Sequence, residues 1–305
     1  MNLFSKKKQD EILVITLDDN SCRLQHFKQA EGKLQHLASG QFNYTSHANY
    51  HDQLLNWCKN LPGGPIACRI VLSRNLYQTH LVDPPNVLAK ELAEALKWQI
   101  KDLIDQPIDK VLVTHYQPSM AESQNNQIIA VVTNRNMVEE LIDSCRQAGL
   151  LLESIDIEEL TLGHALLTYL DNDKIIGFIG EDNSGLVFNF YSKGGLVFSR
   201  HKKGRFLPNQ QREEFSLEQD NQAEQDSFLL ETQRTLDYVV SQIFRRPIDK
   251  ILLQQNSGDD DSLAVLIKQI TELDVSLVTS VIEQTDPQLP PASLVEVGAA
   301  MAEGH

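Results

Sequence analysis

Two rhythms of apolar and polar positions alternate along the chain. The run ILVITL at 12–17 is apolar almost throughout, as a strand buried on both faces requires, and CRLQHF follows at 22–27 after the polar stretch DDNS. KQAEGK then turns into LQHLASGQF, a third strand. From residue 174 the order recurs: KIIGFI, the acidic turn GEDNS at 180–184, GLVFNFY, the turn SKGG, and GLVFSRH. A shared triplet such as DNS carries no weight alone, but two turns and three strands repeated in order predict a duplicated β-meander.

The second rhythm is helical. NVLAKELAEALKWQIKDLID (86–105) sets Leu88, Leu92, Leu96, Ile100 and Leu103 on one stripe, with Asn86 as N-cap and Pro107 beyond the end. NRNMVEELIDSCRQAG aligns Val138, Leu141 and Cys145, and Gly149 suits its C-terminal cap. EELTLGHALLTYL, DSFLLETQRTLDYVVSQIF, DSLAVLIKQITEL and ASLVEVGAAMAE complete the set. Strands RIVLS, KVLVTHY, QIIAVVT, LESIDI, KILLQ and VSLVT alternate with these helices, which predicts an α/β protein with mixed sheets. Residues 208–227 hold six carboxylates and little to bury, and read as a mobile loop; NSGDDDS at 256–262 reads as a second acidic loop.

Composition narrows the function classes. The 305 residues suffice for two lobes, each with its own core, and the net charge of −15 disfavours bare nucleic acid as partner. No apolar run approaches the roughly 20 residues that span a bilayer, and the opening MNLFSKKKQD lacks the order of a secretory signal. Cys22, Cys58, Cys68 and Cys145 lie far apart with no CxxC pair, which fits reduced thiols and gives no metal signature. A soluble cytoplasmic protein is expected.

Several segments resemble one family. VDPPNVLAKELAEALKWQIKDLIDQPIDKVLV is similar to the PilM-type pilus assembly proteins through Pro84, Pro85, Glu94, Ala95, Leu96, Lys97, Trp98, Pro107, Ile108 and Asp109. VVTNRNMVEELIDSCRQAGLLLESIDIEELTLGHAL resembles that family's next segment through Val138, the AGL at 148–150, Asp156, Glu158 or Glu159, and Leu160. The cytoplasmic part of the type II secretion L protein is a more distant likeness. The resemblance implies an actin-like ATPase (ribonuclease H-like) fold with two lobes, each a duplicated meander plus helices. Lobe I would span 1–170 with an inserted subdomain at about 75–127, lobe II 171–290, and a C-terminal helix at 291–305 would return toward lobe I.

In that fold the first turn of each meander holds nucleotide phosphates, using an Asp-aliphatic-Gly-small-small run. Here Thr16 stands where the first Asp would be and Asp18 where the Gly would be; in the second turn Gly180 is kept but Phe178 replaces the Asp. The resemblance thus marks Asp18, Asp19, Asn20 and Ser21, then Gly180, Glu181, Asp182, Asn183 and Ser184, as degenerate phosphate turns. Gly258, after Gln254, Gln255 and Asn256, marks the adenosine loop. A carboxylate about 5 Å from a phosphate charge repels it by roughly 3 kcal/mol at an effective dielectric of 20. Two readings stand: solvated turn residues in a cleft without its nucleotide, or oxygen ligands recruiting Mg²⁺ for ATP.

His47 and His51 have a helical metal spacing but no visible third ligand. The resemblance implies a non-enzymatic scaffold, with no cofactor, at the cytoplasmic face of an inner-membrane pilus platform. It would bind the N-terminal tail of a PilN-like bitopic membrane protein and couple it to the assembly ATPase, with Leu88, Leu92 and Trp98 walling the partner groove. The alternatives are an active Mg-ATP-binding ATPase of the same machinery, or a sugar- or acetate-kinase relative.

Overall fold

In the computed structural model, described for residues 10–61, 65–118, 127–166, 169, 174–182, 185–192, 195–204, 218–254, 260–278, 283–284, 286 and 288–302, the two meanders form as the apolar runs require. β1 (Glu11–Leu17), β2 (Ser21–Ala30) and β3 (Lys33–Asn43) pair antiparallel in sequence order. The turn from β2 to β3 places Glu31 and Gly32 at φ 52° and 78°, a left-handed pair that glycine eases.

The chain forms two units, residues 1–117, 126–165 and 280–305 in the first and 118–125 and 166–279 in the second. In the first unit α1 (His47–Cys58) leads to β4 (Ala67–Leu72), which lies parallel to β1. β5 (Tyr77–Val82), α2 (Leu92–Gln99), β6 (Val111–Tyr116) and β7 (Ile128–Asn134) then build an insert whose three-stranded sheet has the order β5-β7-β6. α3 (Arg135–Gln147) returns the chain to β8 (Leu151–Ile157), parallel to β4, and α4 (Glu158–Ala165) follows. Gly149, at φ 72°, ends α3 as its sequence position predicts.

The second unit repeats the plan. β9 (Ile175–Asp182), β10 (Gly185–Ser192) and β11 (Gly195–Lys203) form the meander. α5 (Glu218–Tyr238), β12 (Lys250–Gln254), α6 (Asp260–Thr271) and β13 (Asp274–Val278) complete it. Its sheet order is β11-β10-β9-β12-β13. The first unit reads β14-β3-β2-β1-β4-β8, where β14 (Glu283–Gln284) adds a short parallel pairing beside β3. Three antiparallel strands followed by two parallel ones, in the same order twice, is the duplication that the repeated turns predict.

Both faces of the first unit's sheet are buried. Leu13, Ile15 and Leu17 join Tyr50, Leu54, Leu141 and Cys145 on the face under α1 and α3. Ile12, Val14 and Phe27 face α7 (Leu294–Met301), with Ala292, Val297 and Ala299. A Ser293–Glu296 capping box starts α7, and Arg69 holds its other end by donating to the carbonyls of Ala299, Ala300 and Ala302. α7 crosses α4 so closely that a methyl group at Gly298 would overlap the carbonyl oxygen of Thr161.

Three expectations need correction. Residues 218–227 are helix rather than loop: α5 begins at Glu218, and the burial of Phe228, Thr232, Thr235 and Leu236 farther along sustains a polar first part. The other half of that loop, 208–217, and residues 255–259 lie outside the described residues, but α6 begins at Asp260, inside the second acidic stretch. The 86–105 stripe gives only α2 at 92–99, flanked by single 3₁₀ turns at Ala89–Glu91 and Lys101–Leu103, so Asn86 caps nothing. The small insert sheet covers Leu96 and Ile100 with Leu92 beside them, whereas Leu88 and Leu103 stay mostly exposed.

Candidate functional site

Parallel strands β1, β4 and β8 end side by side, and the residues following each carry the polar groups that ligands of open α/β sheets meet. After β1 comes the turn Asp18–Asn20. The backbone N–H of Asp18 donates to the Ser21 carbonyl at 2.9 Å, and that of Asp19 donates to the Asp18 carboxylate at 2.8 Å. The Tyr44 hydroxyl donates to the Asp18 carbonyl, and the Tyr44 N–H donates to the Asn20 carbonyl at 2.9 Å. Burial, then the nearby Cys22, Asp18 and Asp19, pushes the Tyr44 hydroxyl up to about 12. Two amides of the turn are therefore bonded inside the turn itself, where a phosphate cradle would present them outward.

After β4 and β8 the partners are equally local. Ser73 donates to Glu158 at 3.0 Å, and the Asn75 amide reaches the Asp18 carboxylate at 3.5 Å. Arg74 and the Tyr77 hydroxyl both bind the buried Glu159, which is 1% exposed. Burial first, and then the Glu159 charge, holds the Tyr77 hydroxyl well above its usual value. Thr16 points to the opposite face. Its hydroxyl lies 3.4 Å from Glu296 of α7, a fully buried carboxylate that also pairs with Arg23 at 3.1 Å and accepts from the Ser293 N–H at 2.7 Å. An aspartate at 16 would stand beside this carboxylate.

In the second unit β9 and β10 pair through to Asp182 and Gly185, the residues on either side of Asn183 and Ser184. Those two residues and Gly258 lie outside the described residues, and only the backbone of Asp182 is described. The space over Gly180 is taken by the Gln254 amide and the Phe178 ring, both from this unit. Glu181 is half-buried.

The insert carries the other candidates. Leu88 and Trp98 are exposed, 63% and 59%, whereas Leu92 packs on the insert core. Lys101 lies 5.8 Å from the Trp98 ring. Exposed Leu81, Val87 and Leu103 belong to the same insert. Where it meets α3, a cleft of about 190 Å³ is lined by Asn75, Tyr77, Gln106, Thr133 and Met137 among others. His47 pairs with Glu140 at 3.4 Å, and no metal-binding group of His, Cys, Asp and Glu exists among the described residues.

Sequence reasoning named the turn residues but missed Glu296, Arg23, Tyr44, Arg74 and Asn75. The capping signature SLVE at 293–296 marks Glu296 as a helix start; nothing local places it under Thr16.

Neither a protein-family model nor a curated protein sequence matches the chain. Solved structures do. One described as the PilM-PilN type IV pilus biogenesis complex is similar at 14% identity, with a TM-score of 0.69 over 96% of this chain and 98% of that one. The cytoplasmic domain of EpsL, an inner-membrane component of the type II secretion system of Vibrio cholerae, is similar at 11% identity and a TM-score of 0.51, covering 96% of both chains. A Bacteroides thetaiotaomicron protein of unknown function with an actin-like ATPase fold is similar at 12% and 0.53, over 97% of this chain and 96% of that one. These likenesses establish the fold as actin-like, and identity this low establishes the fold alone.

Proposed function

We propose that this protein is a cytoplasmic scaffold of a type IV pilus or type II secretion-like assembly platform, at the inner-membrane face. It binds the N-terminal tail of a PilN-like membrane partner without hydrolysing ATP. Within that class the sequence resemblance favours an MSHA-type pilus system and a protein of the MshI kind. The observation that carries the non-enzymatic part is the first turn, whose Asp18 and Asp19 amides are bonded internally and whose Thr16 faces the buried Glu296. Among the described residues no helix is long and apolar enough to cross a membrane; in the proposed reading, contact with the bilayer runs through the partner.

The insert supplies the recognition surface. β5 and β6 each pair only with β7 among the described residues, leaving main-chain groups on an outer edge for an extended tail. Exposed Leu88 and Trp98 offer apolar contact, and the cleft beside Tyr77 and Met137 has room for one anchoring side chain. Titration with a synthetic N-terminal tail of the PilN-like partner tests this reading. Saturable binding in the tens-of-micromolar range or tighter is expected, and none with the fold intact would remove it.

A further inference from the structure

All four cysteines of the chain belong to the first unit and meet in or beside one core. Cys22 of β2, Cys68 of β4 and Cys145 of α3 are buried there, and Cys58, at the end of α1, packs against them half-buried. Far apart in sequence, they are gathered by the sheet and its covering helices. Two are in contact: the sulfurs of Cys68 and Cys145 lie 3.7 Å apart, with Cys68 as donor.

We propose that Cys68 and Cys145 are an oxidative modification site that closes to a disulfide with a hydroperoxide as oxidant, stapling β4 to α3. The inference is independent of the partner assignment. The contact joins strand and helix face to face across the core, so the sulfurs need only a short approach to bond. The roles are unequal. The thiol hydrogen bond from Cys68 favours the thiolate of Cys145 and lowers its pKa, while the same bond, then burial, raises that of Cys68. Cys145 is therefore the attacking sulfur.

The Cys145 thiolate attacks one peroxide oxygen, the O–O bond breaks, and the departing oxygen leaves as water after protonation, giving a sulfenic acid. The Cys68 sulfur then attacks the Cys145 sulfur, the S–O bond breaks, and a second water leaves. Two thiols lose two electrons and the peroxide gains them. A groove of about 480 Å³ lined by Asp52, Leu55, Asn56, Cys58, Lys59 and Ala148 opens to solvent at the end of α3, where Ala148 follows Cys145 by three residues. β7 runs directly into α3, so the staple fixes the helix on which the insert returns.

The test uses the full chain, reduced, desalted and exposed to hydrogen peroxide while folded. Remaining thiols are then alkylated and the protein is digested and mapped by mass spectrometry. The expected result is a loss of roughly 2 Da in the intact mass before alkylation, a cross-link joining the Cys68 and Cys145 peptides, and a yield independent of protein concentration. The Cys22→Ser, Cys58→Ser double variant gives the same cross-link. A mixture of pairings involving Cys22 or Cys58 would overturn the assignment. So would four free thiols after a treatment that oxidises the guanidine-unfolded chain.

Discussion

The backbone N–H of Asp19 donates to the side chain of Asp18 at 2.8 Å, within the turn that the family resemblance marks as a degenerate phosphate turn. An amide already bonded to its neighbour's carboxylate offers nothing to an incoming anion, and the carboxylate repels it. The protein's melting temperature should therefore be unchanged by millimolar Mg-ATP, because a ligand stabilises only by binding the native state. Differential scanning fluorimetry checks this, and a dose-dependent rise of several degrees would count against it.

Thr16→Asp reinstates the acidic residue that the family resemblance places there. It is expected to destabilise the fold by about 2–4 kcal/mol instead of creating a magnesium site, since a second carboxylate would stand beside buried Glu296. Arg23→Ala, which leaves Glu296 without its ion partner, should cost about 2–4 kcal/mol in urea unfolding, and Glu296→Gln less than Arg23→Ala. A cost below about 0.5 kcal/mol for Arg23→Ala would show that the pair contributes nothing.

Gly298→Ala should lower stability by about 1–3 kcal/mol although alanine is the better helix former. The added methyl group has to push α7 off the Thr161 carbonyl. A stabilised variant in chemical denaturation would contradict that helix crossing.

Much of this architecture was legible from residues close in sequence. The two acidic turns and their flanking apolar runs are local patterns, and β1–β3 and β9–β11 form where those runs stand. The partnership of Thr16 with Glu296 spans 280 positions and has no local signature. The same holds for Cys68 and Cys145, brought together by a parallel strand and a covering helix. Local rules also misjudged α2 and the start of α5, because burial against a neighbour decides how far a marginal helix extends.

Stability should fall on mild acidification. Burial lowers the pKa of His26, His36 and His80, in His26 against the pull of Glu11 and in His36 against an Ala38 backbone bond and Glu296. Below the unfolded value of about 6.5 the unfolded chain takes up protons that the folded chain refuses. The contribution is complete above that pH and is lost as pH falls toward the folded values. Melting temperatures compared at about pH 7.5 and about pH 5.5 should drop, with a smaller drop in His36→Gln; a rise on acidification would refute the assignment.

In the proposed function this actin-like chain recognises a peptide and has no working nucleotide site. Isothermal titration calorimetry of one preparation against two ligands, the PilN-like tail and Mg-ATP, tests it most directly. The account predicts saturable heat with the tail, weakened several-fold by Trp98→Ala at unchanged stability because that ring is 59% exposed, and no heat of binding from Mg-ATP. Saturable Mg-ATP binding with no response to the tail would contradict it.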